Sequence, residues 1–415
     1  MRSMKDSGVE WVQRIPDEWE TKRLKYIAEC NTDVLSENTD EDEQIKYIDI
    51  GSVTYEKGIG QIQELRFCDS PSRARRIIKA GDTIISTVRT YLKAIAYIDR
   101  MYDGYICSTG FAVLRSKTEC NPKFLYYALC AEWFISMVEA YSTGISYPAI
   151  TSTALCSLPV IMPQSREQQK IADFLDTKCA QIDAIIERQQ QVIEKLEAYK
   201  QSVITEAVTK GLDPTVPMKD SGVEWIGMIP EHWVVSRIKY ELDCFDELRE
   251  PVSAENRVSV EKLYDYYGAS GVIDQIDFFN VEGDFLLIGE DGANLALRNL
   301  PLIYPAHGKF WVNNHAHILK PKKKNSFDYF AYLLEAGDYS LFITGSTQPK
   351  LSQENLMRFP VLSVPYDEQE AISAFLIAKC AKIDSALDQK KALLAKLTDY
   401  KKSLIYEAVT GKMEV

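Results

Sequence analysis

Apolar residues recur at alternating spacings of three and four in two separate stretches of this chain. In the first stretch they are Ile182, Ile185, Val192, Leu196, Tyr199 and Val203. In the second they are Ile383, Ala386, Leu393, Leu397, Tyr400 and Leu404. The slots left over hold Gln189 and Lys390, where a polar residue can set the register. Such spacing is typical of a coiled-coil face, and neither stretch contains proline or glycine. It predicts two helices of about 43 residues, each roughly 65 Å long.

The chain repeats itself around these helices. Residues 4–26 match residues 218–240 at 14 of 23 positions, and 167–209 match 368–410 at 20 of 43. Two copies of a head, a middle and a helix predict a two-unit architecture. Because both helices carry the same seam, we expect them to pack as an antiparallel coiled coil with pseudo-twofold symmetry. A helix that covers its own domain, or one that mediates dimerisation, is the alternative.

The two middles have diverged but keep short apolar strands between turn signals. The predicted strands are Thr83–Val88, Phe111–Leu114, Leu286–Gly289 and Ala316–Leu319, and short amphipathic helices are predicted at 124–128 and 327–331. The fold class is therefore α+β. The predicted segments are a first domain (1–163), a first long helix (164–211), a second domain (212–365) and a second long helix (366–415).

Composition narrows the class of protein. With 415 residues, 46% hydrophobic and 26% charged, the chain is typical of a globular protein with two or more domains. It has no apolar run of about 18 residues, and no signal segment precedes the head, which predicts a cytoplasmic protein without membrane contact. Nine scattered cysteines without a C-x-x-C pair are expected to be reduced. The net charge of −12 argues against a nucleic-acid-binding monomer when taken alone.

The sequence carries no catalytic signature. Phosphate-binding loops, dinucleotide fingerprints and the Asp-Pro-Pro-Tyr type of methyltransferase motif are missing. His315 and His317 alternate on a strand, but without partners at ligand spacing they indicate core or surface histidines, not a metal site. Residues 289–293 contain two carboxylates between glycines, which favours a tight turn. The chemistry therefore predicts a binding scaffold with no catalytic residue and no metal.

The layout of a variable domain and a long helix, twice over, resembles the specificity subunits of type I restriction–modification systems. The resemblance covers essentially the whole chain. It rests on the head motif Gly-Val-Glu-Trp…Ile-Pro…Trp (8–19 and 222–233) and on Thr-Gly-Ser-Thr-Gln-Pro-Lys-Leu-Ser at 344–352. It also rests on Glu-Gln-x-x-Ile-x-x-Phe-Leu, shortly after a proline, at the start of each helix. One departure is Thr-Gly-Ile-Ser-Tyr-Pro-Ala at 143–149, which makes base or phosphate contacts from that loop less certain in the first domain.

The resemblance implies that each variable domain reads one half of a bipartite, asymmetric site on double-stranded DNA. The helices would set the gap between the half-sites and dock two modification subunits, which methylate adenine N6. Restriction subunits would join the complex and cleave DNA. S-adenosylmethionine, ATP and Mg²⁺ would belong to those partners, so that this chain needs no cofactor of its own.

Base reading in this family implies arginine, lysine and amide side chains, since arginine pairs with guanine and asparagine or glutamine with adenine. Phosphate contacts would hold these readers in register. The candidates in the first domain are Arg73, Arg75, Arg76, Arg89 and Lys93. Those in the second are Asn313, Asn314, Lys322, Lys323, Lys324, Gln348 and Lys350. The alternative for each basic cluster is a solvated surface loop that binds nothing.

Two other functions remain open at this point. One is an interaction scaffold whose variable domains bind proteins, which would lack the steep salt dependence of a DNA complex. The other is an enzyme in its own right, which would show activity with S-adenosylmethionine alone.

Overall fold

The computed structural model describes residues 2–55, 57–257, 261–345 and 347–415. The chain divides into two compact units. The first unit consists of residues 1–190 and 392–415, and the second of residues 191–391. Each unit therefore contains one head, one middle and a part of each long helix.

The first half of the chain alternates short strands with short helices before one long helix. Its strands are β1 (Met4–Asp6), β2 (Arg14–Pro16), β3 (Glu20–Arg23), β4 (Ala28–Cys30), β5 (Gln44–Ile48), β6 (Val53–Thr54), β7 (Gly58–Ile59), β8 (Gln63–Arg66), β9 (Ala74–Ile77), β10 (Thr83–Ser86), β11 (Ile95–Tyr97), β12 (Ile106–Ser108), β13 (Phe111–Ser116) and β14 (Pro159–Met162). Its helices are α1 (Leu24–Ile27), α2 (Pro122–Cys130), α3 (Glu132–Ala140), α4 (Ser152–Ser157) and α5 (Ser165–Lys210).

Two four-stranded sheets form the middle of the first unit. One has the order β11-β10-β13-β4 and is antiparallel. The other has the order β8-β5-β12-β9, in which β5 and β12 run parallel. Side chains of β10 and β13 point alternately to the two faces of the first sheet. Ile84 and Val113 face a core that lies between the two sheets. Ile85 and Leu114 face a core with α2 and α3. The period of two places one sheet between the other sheet and the helices.

The second half of the chain repeats this arrangement in a sequence that has diverged. Its strands are β15 (Met218–Asp220), β16 (Met228–Pro230), β17 (Val234–Arg237), β18 (Leu242–Cys244), β19 (Tyr264–Gly268), β20 (Gly271–Ile276), β21 (Val281–Glu282), β22 (Phe285–Gly289), β23 (Ile303–Ala306), β24 (Lys309–Val312), β25 (Ala316–Pro321) and β26 (Pro360–Ser363). Its helices are α6 (Ile238–Glu241), α7 (Asn294–Leu297), α8 (Phe327–Ala336), α9 (Gln353–Arg358) and α10 (Tyr366–Thr410).

The sheets of the second unit have the same topology as those of the first. Their orders are β18-β25-β22-β23 and β20-β19-β24-β21, and β19 runs parallel to β24. The four strands predicted from the sequence are β10, β13, β22 and β25, and the two predicted amphipathic helices lie within α2 and α8. The retained anchors therefore mark equivalent elements in the two middles.

The repeated head residues connect each head to the long helices. Trp19 is buried and donates its indole N–H to Glu167 in the first turn of α5, with N···O 2.8 Å. Trp233 makes the same bond to Glu368 of α10 at 3.0 Å. Gly411, with φ +69°, lies so close to Pro16 and Trp19 that a Cβ atom would clash. The Glu-Gln motif is thus a structural connection between head and helix.

The glutamine of the same motif connects the helix to the middle. Gln168 accepts the backbone N–H of Asn121, the N-cap of α2, at 2.8 Å. Gln369 accepts the N–H of Ser326, the N-cap of α8, at 2.7 Å. Both glutamines are buried, so each amide satisfies backbone groups that have no access to water.

Within each unit the two helix segments run antiparallel. In the first unit Asp183 pairs with Lys401 at 2.7 Å, and in the second Lys200 pairs with Asp384 at 2.6 Å. A further pair in the second unit joins Lys391 and Glu197 at 3.0 Å. The residue numbers rise on one helix as they fall on the other, as the predicted antiparallel coiled coil requires.

The buried positions of the helices differ from the predicted seam by one residue. Ile185, Tyr199, Leu393 and Tyr400, all assigned to the seam, are exposed, and Val192 and Ala386 are only partly buried. The residues that follow three of these positions, Ile186, Ile193 and Leu387, are more deeply buried. The positions shared by both registers, Ile182, Leu196, Val203, Ile383, Leu397 and Leu404, are buried or partly buried. Adjacent apolar pairs such as Ile185-Ile186 fit both registers, so spacing alone led to the wrong one.

None of the helices in the described residues is both long and apolar enough to cross a bilayer. The nine cysteines are free thiols.

Candidate nucleic-acid interface

Each unit gathers three loops at one edge of its sheets. In the first unit these are residues 87–94, 109–110 and 143–149, and in the second 290–302, 313–315 and the described residues of 344–350, which leave out 346. The first two loops of each set follow β10 and β12, or β22 and β24. In the first unit, β12 runs parallel to β5, and the tight turn after β12 leads directly into β13, which pairs antiparallel with β10. The ends of β10 and β12 therefore lie at the same edge of the two sheets. We call this the loop edge of each unit.

Backbone bonds hold the three loops of the first unit together. Thr87 donates its N–H to the carbonyl of Gly110 at 2.8 Å and accepts from the N–H of Ile150 at 2.9 Å. Val88 forms an antiparallel bridge with Ala149, which also pairs with Thr143. Gly144, with φ +104°, supplies the turn between them. The loops therefore form one ordered surface.

Arg89 is the predicted residue that this surface presents most directly. It is exposed and has a left-handed backbone, with φ +50°. Its guanidinium lies over the ring of Tyr147, 4.9 Å from the centroid, and it forms no ion pair with any described residue. The same loops present apolar side chains to solvent: Tyr147 is 66% exposed and Ile145 is fully exposed. Tyr91 and Leu92 are also exposed.

One of the other predicted arginines, Arg73, and the predicted lysine, Lys93, have protein partners close to the loop edge or beside it. Arg73 pairs with Asp49 at 3.1 Å and donates to the Tyr47 hydroxyl at 3.2 Å. Its carbonyl accepts the N–H of Thr109, which places Arg73 beside the 109–110 turn. Lys93 pairs with Glu132 at 2.8 Å. These cations are near the loop edge but already carry protein partners.

The remaining two arginines lie further along β9. Arg75 lies over the ring of Phe67, 4.9 Å from its centroid. Arg76 donates to the Asn31 side chain, and burial lowers the pKa of its guanidinium. Because Arg76 is partly buried and supports the end of β4, its role in the structure is packing inside the unit.

In the second unit, Lys350 and Gln348 lie on the loop that corresponds to 143–149. Lys350 forms antiparallel bridges with Asp291 and Thr344, and Gly292 donates its N–H to the carbonyl of Pro349 at 3.1 Å. Gln348 is exposed, and its side chain has no hydrogen-bond partner among the described residues. The loop resembles its counterpart in backbone and differs from it in chemistry.

A cluster of charges lies beneath this loop. Glu290 pairs with Lys350 at 3.0 Å and also with Arg249. Burial alone would raise the pKa of Glu290, but the hydrogen bonds from Lys350 and Arg249 outweigh it and hold that pKa below the ordinary value. Lys350 is 55% exposed, so its ammonium group is held at the surface by a partly buried carboxylate.

The two asparagines on the 313–315 turn have different environments. Asn313 is buried, and its side-chain oxygen accepts the backbone N–H of His315 at 2.8 Å. Asn314 is exposed and has no side-chain partner among the described residues. Only Asn314 is therefore accessible at the loop edge.

The predicted lysines at 322–324 lie away from the loop edge. They follow the C-terminal end of β25, whereas the 313–315 turn precedes its N-terminal end, so about 20 Å of strand separates them. Lys322 donates to the carbonyls of Lys239 and Tyr240 at 3.1 and 3.2 Å. Lys324 pairs with Glu241 at 3.2 Å, and Lys323 is exposed. Sequence proximity to the asparagines could not reveal this separation.

The histidines form hydrogen-bonded pairs with carboxylates. His317 is buried, with Nδ1 at 2.6 Å from Asp246 and Nε2 donating to the Leu351 carbonyl at 2.8 Å. His315 is exposed and lies 2.8 Å from Asp291. Among the described residues there is no group of three or more potential ligands that could hold a metal ion.

Four exposed residues of the first loop edge are not among the residues predicted from the sequence: Tyr91, Leu92, Ile145 and Tyr147. Base-reading chemistry favours charged and amide side chains, whereas this edge presents apolar and aromatic ones in addition to Arg89. The signal in the sequence was the alignment of 143–149 with 344–350, in which Tyr147 corresponds to Gln348 and Ala149 to Lys350.

Comparison with known proteins points to one family. The family model described as type I restriction modification DNA specificity domain matches residues 16–195 and 230–396. The EcoDI specificity subunit of Escherichia coli is 22% identical over 96% of this chain and 90% of its own length. The HindI specificity subunit of Haemophilus influenzae is 30% identical over 32% of this chain. That match spans 29% of the Haemophilus protein, and another Haemophilus relative is matched over 34% of its length.

The fold is also found among solved structures. A chain from a study of complex assembly and conformational transition of the type I R-M system superposes with a TM-score of 0.75 at 19% identity. The superposition covers 96% of this chain and 99% of that one. The crystal structure of the HsdS subunit from Thermoanaerobacter tengcongensis gives a TM-score of 0.50 at 21% identity, over 96% of this chain and 98% of that one.

Proposed function

Because this chain belongs to the family of type I restriction modification DNA specificity domains, we propose that each of its units reads one half of a bipartite, asymmetric DNA site. The observation that carries this proposal is the pair of loop edges. Their backbones share one topology, but their exposed side chains differ in chemistry. Two equivalent surfaces with different side chains suit two different sequences of bases.

The first loop edge has the groups to read a guanine beside an apolar step. Arg89 is free of ion pairs, and a bidentate arginine contact to guanine is the commonest specific contact in the major groove. Ile145 and Tyr147 offer apolar surface for the methyl group of thymine or for stacking. Arg73 and Lys93, which lie near this edge, and Arg75, which lies further along β9, are candidates for phosphate contacts.

The second loop edge is polar by comparison. Gln348 and Asn314 have free amide groups that suit adenine, and Lys350 suits a phosphate or guanine. The partly buried Glu290 beneath Lys350 limits the mobility of that lysine. Asn313 is assigned to support of the turn, since its side chain is buried and bonded to backbone.

The long helices are proposed to act as the spacer between half-sites and as part of the docking surface for two modification subunits. Exposed apolar side chains on the long helices support the docking role: Ile185 and Tyr199 on α5, and Leu393 and Tyr400 on α10. Large apolar side chains of this kind would gain from burial against a partner.

The chain itself is proposed to be non-catalytic. Adenine methylation with S-adenosylmethionine would be carried out by the modification subunits, and DNA cleavage with ATP and Mg²⁺ by restriction subunits where they are present. The negative net charge of −12 is compatible with this role if stable DNA binding requires the assembled complex.

The test is a domain exchange followed by methylation mapping. The chain is co-expressed with its modification subunit, and N6-methyladenine is mapped by single-molecule sequencing. We expect a split motif with one methylated adenine per strand. Replacing residues 20–160 with the equivalent segment of another family member should change one half of the motif and leave the other unchanged.

Other outcomes would reject the proposal. A change in both halves would contradict modular recognition. An assembled complex that produces no methylation and binds DNA without steep salt dependence would favour the interaction scaffold. Methylation by this chain alone would show that it is an enzyme.

A further inference from the structure

The exposed positions of the two heads have not diverged evenly. Several have changed between the copies: Arg14 corresponds to Met228, Glu18 to His232 and Glu20 to Val234. At the end of the same block, however, three exposed residues are identical. They are Arg23, Lys25 and Tyr26 in the first unit, and Arg237, Lys239 and Tyr240 in the second. We call the set in the first unit the α1 patch and the set in the second unit the α6 patch.

The other identical polar residues of the heads mostly have structural roles. Lys5 donates to the carbonyl of Asp17 at 2.6 Å, and Lys219 to that of Glu231 at 2.6 Å. Asp6 accepts the N–H of Gly8 and Asp220 that of Gly222. Glu10 and its counterpart Glu224 are the exception, since they are exposed and their side chains form no bond with a described residue.

The fold does not require the side chains of the two patches. Tyr26 is 63% exposed and Tyr240 57% exposed. The ammonium group of the neighbouring lysine lies over each ring, at 5.1 and 4.8 Å from the centroid. Among the described residues neither Arg23 nor Arg237 has a hydrogen-bond or ion-pair partner. Their retention therefore points to contact with something outside the chain.

The backbone beneath the patches is also the same in both units. Lys117 donates to the carbonyl of Lys25 at 3.0 Å, and Lys322 donates to that of Lys239 at 3.1 Å. These lysines follow β13 and β25, which are equivalent strands. Each patch is thus an arginine at the end of a strand and a lysine and a tyrosine on the short helix that follows it, with a second lysine bonded to the helix backbone from the residue after the sheet strand.

We propose that the two patches are twin docking surfaces, each of which binds one copy of the same modification subunit. This rests on the proposed function, in which the two loop edges contact different bases and have diverged accordingly. A ligand that is identical at both units would preserve identical contacts. The partner surface would offer carboxylates to the arginine and lysine and an apolar recess to the tyrosine ring, since arginine and tyrosine are typical anchors of protein interfaces.

The phosphate backbone of DNA would also be identical at both units, but the position of the patches favours a protein. In the first unit Ala28, directly after α1, pairs with Ser116 at the end of β13, and Lys117 donates its N–H to the carbonyl of Ile27. The loop edge lies at the start of β13, at Phe111. Five strand residues place the α1 patch about 17 Å from that edge, at the opposite end of the sheet.

The experiment counts partner subunits in the assembled complex by native mass spectrometry after co-expression. The variants are Arg23→Ala/Lys25→Ala/Tyr26→Ala, Arg237→Ala/Lys239→Ala/Tyr240→Ala, and both together. At subunit concentrations a few times the dissociation constant of the unsubstituted chain, we expect as the main species two modification subunits on that chain, one on each triple variant and none on the combination. The affinity of the affected unit should fall about tenfold or more.

A charge-matched control separates this result from a general loss of positive charge. Lys57→Ala/Arg100→Ala also removes two exposed cations from the first unit and should leave two subunits bound. Circular dichroism should show unchanged folding for all variants, because the substituted side chains are exposed.

DNA binding by the purified complexes provides the second readout. Two bound subunits on every variant, with weaker DNA binding and a smaller salt slope, would overturn the proposal in favour of phosphate contacts. Two bound subunits and unchanged DNA binding would also overturn it. Failure of the unsubstituted chain to bind any modification subunit would instead reject the proposed function.

Discussion

Arg89 and Glu290 show how single residues at the two loop edges are prepared for different tasks. Arg89 has a left-handed backbone and an aromatic neighbour, Tyr147, but no carboxylate of the described residues pairs with it. Glu290 is a partly buried carboxylate that holds Lys350 at the surface of the other unit. A free guanidinium suits base reading, whereas a lysine held by an ion pair must exchange that pair for a new one.

Replacing Arg89 by alanine should weaken binding to the cognate site by about 1–3 kcal/mol and relax specificity at one G·C pair. Binding is measured with the assembled complex on DNA that carries each base in turn at the affected half-site. The variant Arg100→Ala should have no such effect. An equal loss on all sequences, with a salt slope lower by about one, would identify Arg89 as a phosphate contact instead.

The two heads also differ at one strained backbone position. Gln13 has φ +65°, and the equivalent residue of the second head is Gly227, with φ +68° and open space around it. Because a left-handed backbone is costly for residues other than glycine, Gln13→Gly should stabilise the chain by about 0.5–1 kcal/mol. The reciprocal Gly227→Gln should destabilise it by about 1 kcal/mol. Urea unfolding measures both, and effects of the same sign would contradict the strain argument.

Acid should weaken the second loop edge through Glu290. Its pKa in the folded chain is below that of an unfolded glutamate, which is about 4.3. Its stabilising contribution is therefore fully present above about pH 4.3 and is lost as the pH falls through the lower folded pKa. In urea unfolding, Glu290→Gln should be less stable than the unsubstituted chain at pH 7, and the difference should shrink below pH 4. A difference that is constant with pH would exclude this ion pair as its cause.

At the scale of whole elements, the repeated motifs serve as connections between head, middle and helix. Trp19 and Glu167, and their counterparts Trp233 and Glu368, join head and helix by a bond from a buried indole. The ion pair Asp183–Lys401 is repeated as Lys200–Asp384, since the four residues belong to the same two positions of the helix repeat. These pairs explain why the helix segments of a unit align antiparallel in this register.

Reversing one of these ion pairs tests the register. Lys401→Asp should destabilise the first unit by repulsion from Asp183, and adding Asp183→Lys should restore most of the loss. Half-exposed pairs contribute about 0.2–1 kcal/mol, so the double-mutant cycle should give a coupling energy in that range. Lys200→Asp with Asp384→Lys provides the matched cycle in the second unit. A coupling energy of zero in both cycles would leave register to the buried seam alone.

At the scale of the whole molecule, the spacer proposal predicts how the recognised site should change with helix length. Insertion of one heptad after Gln190 in α5 and after Lys391 in α10 keeps the phase of the buried seam in both helices. Seven residues add about 10.5 Å, which corresponds to roughly three base pairs. Methylation mapping should show unchanged half-sites separated by a gap about three base pairs wider. Insertion into α5 alone should instead destabilise the chain, because the two ion pairs then lose their register, and an unchanged gap in the double insertion would reject the spacer role.

The sequence by itself determined the architecture. Heads that match at 14 of 23 positions and matched helix repeats predict two units. The strands from Thr83 and Phe111 were predicted because both of their faces are buried, so that each needs a short run of apolar residues. It also indicated the family, since the motifs at the helix starts have to satisfy buried backbone groups and therefore tolerate little change.

The tertiary structure determined which residues form the buried seam and which lie at the candidate site. Ile185 and Ile186 are equally apolar, and only packing against the second helix buries one and exposes the other. Arg76 and Arg89 are equally basic, but one supports the end of β4 and the other lies free over Tyr147. The local sequence pattern gives the chemical character of a side chain, whereas its burial and its bonding partners depend on segments that are distant in the chain. For that reason the lysines at 322–324 and the asparagines at 313–314, close in sequence, lie at opposite ends of one strand.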